Sequence, residues 1–361
     1  TTAGTCPNTA TASITVNATP TITGTAAVCV GSTTTLTGSG TAASSTPWAS
    51  ATTSVATVSS AGVVTGVAAG TSVITYTDNN GCSVTQTVTV NALPVTTITS
   101  SDADNTICSG ESITLTADAG TTGYTFQWYK DGTVIVGATS STYSATTTGT
   151  YTVAVTNNST SCTATTSSAD QVDVVVKALP TAALASDATS NTICAGESVT
   201  FTASGGTTYE FFLNGSSVAS ASTTSTYTTS SLSNSDVVTV EVTNANNCSA
   251  TSAGITMTVN MLPTVVVTSS SNVACYGAAN GSINVTATGA STISYSWSDG
   301  ASYSSTSEDL VNLAPGTYSV TITDGNGCTA GTSATIIEPS SALSATTTST
   351  DATGYGLSNG T

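Results

Sequence analysis

The amino-acid sequence predicts an all-β protein, a tandem array of small β-sandwich domains in an extended rod. Three observations lead to this prediction. Cysteines occur in pairs 53 or 54 residues apart, and the pairs recur with a step of about 80 residues along the 361-residue chain. Threonine alternates with valine or isoleucine in many segments, which is the period of a strand with one buried face. A short proline-ended segment closes each repeat.

The cysteine spacing predicts four whole copies of one domain plan, because a step of this length fits a small domain. The spaced pairs are Cys29 and Cys82, Cys108 and Cys162, Cys194 and Cys248, and Cys275 and Cys328. Cys6 has no earlier mate, so we expect it to be the second cysteine of a further domain. Residues 354–361 repeat residues 275–282 with Gly354 in place of the cysteine, which predicts the start of another copy.

The proline-ended segments predict the domain boundaries. Proline cannot extend a hydrogen-bonded ladder, so each should mark the exit from a closing strand. The segments end at Pro20, Pro94, Pro180 and Pro263, with a variant at Pro339. The predicted domains are therefore 1–19 (the end of a domain), 20–93, 94–179, 180–262, 263–339, and 340–361 (the start of another). Links this short predict a semi-rigid array.

The elements inside each repeat follow one order. A first strand is followed by the first cysteine, a glycine-containing turn and an alternating strand. A central strand then carries one large aromatic side chain, predicted to lie in the core: Trp48, Trp128, Phe212 or Trp297. A late strand, entered at Tyr151 or Tyr318 in two repeats, leads to a polar hairpin, the second cysteine and the closing strand. About seven short strands around one aromatic residue are typical of an immunoglobulin-like (Ig-like) sandwich.

Composition excludes several functions. The chain has two Lys, no Arg, no His and 19 acidic residues, a formal net charge of −17. Nucleic-acid binding and attraction to anionic membranes both need cationic groups, so neither is expected. No apolar run approaches the roughly 20 residues of a membrane-spanning helix, so we expect no membrane insertion. Regular cysteines in a chain of this length indicate an oxidising compartment, and we expect an extracellular location.

Several segments resemble known families. Trp48-Ala49-Ser50, residues 62–70 and Ile74-Thr75-Tyr76 resemble bacterial group 2 Ig-like domains. Residues 107–112 and 193–198 resemble Ig-like modules of Bacteroidetes surface proteins. Residues 275–283, 295–300, 313–318 and 323–328 resemble the SprB-type repeat of gliding-motility adhesins, and residues 340–361 begin a second copy with Gly354 as a departure.

The SprB resemblance implies a large cell-surface filament that is exported by the type IX system and acts in adhesion and gliding. We therefore expect a structural segment that holds a distal binding region away from the cell and transmits force. Its expected partners are neighbouring domains of the same chain and, by resemblance, the gliding and secretion machinery of the cell surface. The alternative is a set of Ig-like modules that bind a surface glycan or protein directly.

The sequence allows two disulfide pairings, one between neighbouring domains and one within each domain. If the topology is Ig-like, the two cysteines of one domain lie at opposite ends of a strand about 30 Å long, whereas bridged Cα atoms lie within about 7 Å. The first cysteine of one domain would then face the second cysteine of the next. The preferred pairs are Cys29–Cys162, Cys108–Cys248 and Cys194–Cys328, with Cys6, Cys82 and Cys275 bonded to cysteines beyond the 361 residues given. The alternative is pairing within each domain: Cys29–Cys82, Cys108–Cys162, Cys194–Cys248 and Cys275–Cys328.

Catalytic and metal sites are weakly indicated. Without histidine, Ser-His-Asp and Cys-His systems cannot form, and a Ser–Lys dyad could use only Lys130 or Lys177. We therefore expect no enzyme and no cofactor. Asp102, Asp104 and Asp187 lie near predicted domain joints and are weak calcium candidates, because carboxylate oxygens are calcium ligands. The competing interpretation is that they cap solvated turns.

Overall fold

The computed structural model describes residues 4, 10–119, 122–351, 353–358 and 360. Within this part of the chain, every regular element is a β-strand except one 3₁₀ turn, Thr189–Asn191. The chain divides into two compact units, residues 1–178 and 179–361. Each unit contains two β-sandwiches, called here domains A (20–93), B (94–179), C (180–262) and D (263–339) after the limits proposed from the sequence. The predicted all-β, tandem Ig-like architecture is confirmed.

Domain A is a sandwich of two four-stranded sheets. Its strands are β1 (Ile22–Gly24), β2 (Ala27–Cys29), β3 (Thr33–Gly38), β4 (Trp48–Ser50), β5 (Ala56–Val58), β6 (Val63–Gly66), β7 (Gly70–Thr77) and β8 (Ser83–Asn91). The sheets have the strand orders β1-β3-β6-β5 and β2-β8-β7-β4. All neighbours are antiparallel except β2 and β8, which are parallel and place Cys29 opposite Asn91.

Domain B repeats this plan. Its strands are β9 (Ile98–Ser100), β10 (Thr106–Cys108), β11 (Ile113–Ala117), β12 (Tyr124–Lys130), β13 (Thr133–Val134), β14 (Thr142–Ala145), β15 (Gly149–Asn157), β16 (Thr163–Thr165) and β17 (Val172–Lys177). One sheet has the order β14-β11-β9, and the other β10-β17-β15-β12-β13 with β16 also paired to β15. Strands β10 and β17, which come first and last in the sequence among the strands of the larger sheet, are again parallel neighbours, with Cys108 opposite Lys177.

Domain C has more but shorter strands. They are β18 (Ala183–Ser186), β19 (Thr192–Cys194), β20 (Val199–Ser204), β21 (Thr208–Leu213), β22 (Ser216–Ser222), β23 (Thr226–Thr229), β24 (Val237–Thr243), β25 (Ser249–Thr251), β26 (Ile255–Thr256) and β27 (Thr258–Asn260). The orders are β18-β20-β23 and β22-β21-β24-β25, with β26 on β24. Strands β19 and β27 form a separate parallel pair.

Domain D differs at its first strand. Its strands are β28 (Thr264–Ser271), β29 (Gly281–Thr288), β30 (Ser294–Ser298), β31 (Ser304–Ser305), β32 (Leu310–Leu313), β33 (Gly316–Thr323) and β34 (Thr329–Ile336). The orders are β28-β29-β32 and β31-β30-β33-β34. In place of a parallel pair, the chain after β28 makes two bonds to the end of the domain: Val273 N–H donates to the Ile337 carbonyl, and Ile337 N–H to Asn272 Oδ1.

Each sandwich encloses its own apolar core, because inward-facing Val, Ile and Leu residues alternate with outward-facing Thr and Ser along the strands. The cores centre on Trp48 with Tyr76, on Trp128 with Tyr151, on Phe201 with Phe211, and on Trp297 with Ile283. In the described part of residues 1–19 and 340–361 there is no strand. The proposal that these ends belong to further domains stays a prediction, and Cys6 lies outside the described residues.

Candidate functional site

The first cysteine of a domain opens a tight turn at the end of a strand. In domain C the Cys194 carbonyl accepts a hydrogen bond from Glu197 N–H at 3.0 Å, and Gly196 between them has φ = 82°. This is the geometry of a type II turn, which requires a residue with positive φ at its third position and therefore favours glycine. The equivalent glycines are Gly31 (φ 77°), Gly110 (φ 96°) and Gly277 (φ 75°).

A glutamate locks this turn in domains B and C. Glu197 Oε2 accepts the Cys194 N–H at 3.0 Å, and Glu111 Oε2 accepts the Cys108 N–H at 2.7 Å. The cysteine backbone is thereby bonded on both its N–H and its carbonyl. Neither glutamate was predicted from the sequence to hold the turn, although in both copies Glu follows the cysteine by three positions with glycine directly before it.

The second cysteine of a domain follows a hairpin turn in which an Asp or Asn side chain accepts hydrogen bonds from backbone N–H groups of the turn. In domain D, Asp324 Oδ1 accepts the N–H groups of Asn326 and Cys328, both at 3.0 Å, and Asp324 N–H donates to the Cys328 carbonyl at 3.0 Å. Asp78 and Asn244 make the same set of bonds to Cys82 and Cys248. Short polar side chains favour such turns because they bond the backbone two residues on. In domains A, C and D the predicted polar hairpins are thus tight frames that hold the cysteine, whereas in domain B the Cys162 N–H donates to Thr160 Oγ1 instead.

A disulfide joins domain A to domain B. Cys29, at the end of β2, is bonded to Cys162, between β15 and β16, and their Cα atoms are 5.7 Å apart. The bridge spans 133 residues of sequence and includes the Leu93-Pro94 link between the domains in its loop. The Cys162 side chain is fully buried.

An equivalent disulfide joins domain C to domain D. Cys194 is bonded to Cys328 with Cα atoms 5.7 Å apart and a sequence separation of 134 residues. The link itself packs against the hairpin frame: a Cβ placed on Gly289 would lie 2.9 Å from Pro263 Cβ and 3.0 Å from Asp324 Cβ. Glycine at this position lets the link approach the hairpin closely. The Cys328 side chain is buried.

Cys29 and Cys194 are each bonded to the second cysteine of the following domain and not to the second cysteine of their own domain. The four intradomain pairs, Cys29–Cys82, Cys108–Cys162, Cys194–Cys248 and Cys275–Cys328, each need a cysteine that these two joints already use. The physical reason is distance: Cys29 lies beside the last residue of β8, whereas Cys82 precedes the first residue of that nine-residue strand. The pair Cys108–Cys248 stays a prediction.

Two cysteines of the described residues carry free thiols. Cys82 is partly buried and Cys275 is exposed. Cys82 occupies the hairpin frame of domain A, and Cys275 occupies the turn of domain D. The expectation that they bond to cysteines beyond the 361 residues given stays a prediction.

The central aromatic residues lie in the cores, with one correction. Trp48, Trp128 and Trp297 are buried, and the indole N–H of Trp128 donates to the Ser140 carbonyl. The prediction was wrong for Phe212, because Phe211 is the fully buried residue of β21. Phe211 pairs with the buried Val240 of β24, and Tyr209 and Leu213 on the same face also pack against the core, so alternation along β21 places Phe212 on the opposite face.

The tyrosines that enter the late strand tie it to the preceding loop. Tyr151 Oη donates to the Thr147 carbonyl at 2.9 Å, and Tyr318 Oη donates to the Ala314 carbonyl at 3.0 Å. Both rings are buried. This is the arrangement of a tyrosine corner and a structural role.

The calcium candidates lie in turns. Asp102 Oδ1 accepts the N–H groups of Asp104 and Thr106, and Asp187 Oδ1 accepts the N–H of Thr200. The pKa of Asp102 is lowered, chiefly by a side-chain hydrogen bond with Asp104. Within the described part of the chain no group of three or more His, Cys, Asp or Glu side chains is placed to hold a metal ion. Calcium at Asp102, Asp104 and Asp187 stays a prediction.

Comparison with protein-family models confirms the resemblances stated from the sequence. Residues 94–177 and 180–260 match the Ig-like domain described as CHU_C associated, residues 267–302 match the SprB repeat, and residues 10–90 match the bacterial Ig-like domain (group 2). Such domains indicate a cell-surface or extracellular structural protein of the adhesin type. No curated protein matches the chain.

Solved structures with similar folds share little sequence with this chain. The eight N-terminal Ig domains of Down Syndrome Cell Adhesion Molecule align with 89% of this chain at 13% identity and a TM-score of 0.36, and the chain spans about half (49%) of that structure. An I-band fragment of titin aligns with 65% of this chain and 95% of its own length (14% identity, TM-score 0.32). The fibronectin(III)-like modules of Clostridium thermocellum CbhA align with 45% and 94% (12% identity, TM-score 0.29).

The described residues contain no helix that is long and apolar enough to cross a membrane.

Proposed function

We propose that this chain is a structural segment of a long extracellular adhesin filament that holds a distal binding region away from the cell and transmits force during adhesion and gliding. The observation that carries the proposal is the pair of disulfides that join neighbouring domains. The matched SprB and Ig-like families support the cell-surface setting. Type IX export and association with the gliding machinery rest on the family resemblance.

The joints support a mechanical role because they give neighbouring domains two covalent connections. The peptide link connects the end of domain A to the start of domain B, and the Cys29–Cys162 bridge connects them at a second point. A single flexible link acts as a hinge, whereas two connections at separate points restrict bending and twisting. Tension that reaches Cys29 also passes directly to Cys162 without unfolding the residues between them.

The strand arrangement inside domains A, B and C supports the same role. Strand β2, near the start of domain A, lies parallel to the closing strand β8, and β10 with β17 and β19 with β27 repeat the pattern. When the two ends of such a domain are pulled apart, parallel terminal strands slide past each other, so their hydrogen bonds are loaded together. Opening them one at a time, as in peeling, would need less force.

Direct binding by the Ig-like modules receives no comparable support. Trp48, Trp128 and Trp297, the side chains best suited to stack on a sugar ring, are buried in the cores. The hairpin tips consist of Asn, Gly, Ser and Thr. Ig-like and adhesion-type domains are typically non-enzymatic, and we propose no catalytic role, cofactor or nucleic-acid partner.

The mechanical proposal can be tested at one joint. Fluorescent labels on domains A and B would report the spread of interdomain distances by single-molecule energy transfer. We expect the double variant Cys29→Ser/Cys162→Ser to widen that spread, and Cys82→Ser, which removes a thiol outside the joint, to leave it unchanged. Equal spreads in all three proteins would contradict a stiffening role.

The proposed role in gliding must be tested on intact cells. Beads coated with antibody against domain D would be placed on intact cells of the source bacterium. We expect the beads to bind and to be carried along the surface. Bound but stationary beads would support a surface adhesin and refute the gliding role, and an absence of binding would refute surface exposure.

A further inference from the structure

Domain C carries two glutamates directly opposite each other on the outer face of a sheet. Glu210 of β21 pairs in register with Glu241 of β24. Their neighbours along the two strands, Phe211, Val240 and Val242, are buried in the core, so the glutamates lie on the opposite, solvent-facing side, where both are partly exposed. Opposite residues of an antiparallel pair have Cα atoms within about 5.5 Å, so the two carboxylates share one patch of surface.

This pair is unfavourable on its own, because like charges directly opposite each other destabilise a sheet. Residues 180–262 include five acidic residues and no Lys or Arg, so domain C has no cation of its own to offset the repulsion. Within the described part of the chain, the one side-chain hydrogen bond to the two carboxylates comes from Ser217 Oγ, which donates to Glu210 Oε1 at 2.7 Å. A neutral hydroxyl group leaves both negative charges in place.

The equivalent positions in domains B and D carry no charge. Counted from the buried tryptophan of the central strand, they are Gln127 opposite Ala154 in domain B and Ser296 opposite Thr321 in domain D. The same sandwich therefore forms without a carboxylate pair at this place. The pair in domain C costs stability and is not needed for the fold, which favours a role in binding.

An aromatic ring adjoins the two carboxylates. Phe212 follows Glu210 by two positions on the same face, lies opposite Thr239 of β24 and is partly exposed. Diagonal neighbours on one face of a sheet are within reach of aromatic and long side chains, so Phe212 and Glu241 can contact one ligand. A guanidinium group is the cation that suits this combination, because its plane stacks on an aromatic ring while its N–H groups donate in pairs to carboxylates.

We propose that the outer face of domain C, at Glu210, Glu241 and Phe212, binds an arginine side chain of a partner protein. Charge complementarity carries the assignment: the guanidinium bridges the two carboxylates, removes their repulsion and lies against the Phe212 ring. Both sequence neighbours of domain C are present in the chain, so the proposal does not depend on where the sequence begins or ends. It concerns a side face of the array and is independent of the mechanical proposal.

The test measures binding of a short amidated peptide of glycine, serine and arginine to the purified 361-residue chain by calorimetry at low ionic strength. We expect this peptide to bind more tightly than the same peptide with lysine, and the peptide with uncharged citrulline to give no binding. Glu210→Gln/Glu241→Thr should weaken binding by at least about tenfold, because the charge-assisted hydrogen bonds are lost. Phe212→Ser should weaken it by about two- to fivefold, because the stacking contact is lost.

The matched control is Asp118→Asn/Asp351→Asn, which also removes two exposed carboxylates and should bind the arginine peptide like the unchanged chain. Without peptide, Glu210→Gln/Glu241→Thr should unfold at the same temperature as the unchanged chain or a higher one, since it removes a repulsion. The proposal would be overturned by an equal loss of binding in the control, by undiminished binding in the glutamate variant, by equal affinity for lysine, or by no binding at all. A lower unfolding temperature of the glutamate variant would overturn it as well, because the pair would then be structural.

Discussion

Reduction of the two interdomain disulfides should release a large, calculable length of chain under force. Pulling on the ends of the oxidised protein loads a covalent path that enters at Cys29, crosses to Cys162, follows the chain to Cys194 and crosses to Cys328. The residues inside the two disulfide loops can unfold but cannot extend. Reduction removes both crossings and leaves the full polypeptide as the only path.

The sequence separations fix the size of the effect. From Cys29 to Cys328 the chain has 299 residue steps, of which the bridges bypass 133 and 134, leaving 32. At about 3.5 Å per extended residue the oxidised path reaches about 110 Å and the reduced path about 1,050 Å. A Cys108–Cys248 bond would not change the oxidised path, because neither residue lies in the segment between Cys162 and Cys194.

Force-clamp spectroscopy with a soluble thiol in the buffer resolves the individual bonds. In a Cys108→Ser/Cys248→Ser background, where no further bridge can shorten the path, each reduction event adds the loop that the bond had closed, so a joint disulfide should give a step of about 470 Å. An intradomain pair such as Cys29–Cys82, 53 residues apart, would give a step of about 190 Å. The double variant Cys29→Ser/Cys162→Ser should lose one of the long steps.

The matched control is Cys82→Ser/Cys275→Ser, which removes the two free thiols and should leave the step pattern unchanged. Steps of about 190 Å, or an oxidised chain that extends as far as the reduced one, would refute the pairing and with it the mechanical proposal.

Three further predictions concern single residues. Asp324→Ala should lower the free energy of unfolding of domain D by about 1–3 kcal/mol in denaturant titrations, because the buried N–H of Cys328 loses its acceptor. Asp324→Asn keeps Oδ1 and should lower the free energy of unfolding by a smaller amount. Tyr151→Phe should cost about 1 kcal/mol by the same measurement, and no loss would refute the bond to the Thr147 carbonyl. The pKa of Asp299 is lowered by backbone N–H donors, so the stability it contributes should be present above its unfolded-state pKa and lost as pH falls through the folded value; an unshifted carboxyl titration by NMR would contradict this.

The sequence alone predicted the order of the elements along each domain because every signal repeats in several copies. Alternation, the linker prolines and the polar hairpins point to the same elements in each domain, and agreement among copies compensates for the weakness of any one signal. The positions of Cys29 and Cys162 followed from the same logic: knowing which ends of a sandwich carry them is sufficient to favour a bridge between neighbouring domains.

The errors and omissions concern single side chains. Phe211 and Phe212 are adjacent and chemically identical, and only the face that Phe211 shares with the inward-facing Tyr209 and Leu213 decides which one is buried. The bonds of Glu111 and Glu197 back to the cysteine N–H depend on a side-chain rotamer, which no periodic pattern encodes.

The fixed pairing of a turn with a hairpin explains why each domain keeps two cysteines that do not bond to each other. A bridge within one domain would stabilise that domain alone and leave the links between domains as the weakest points of the chain. A bridge from each domain to the next stabilises the links instead, and every domain must then carry one cysteine near each end.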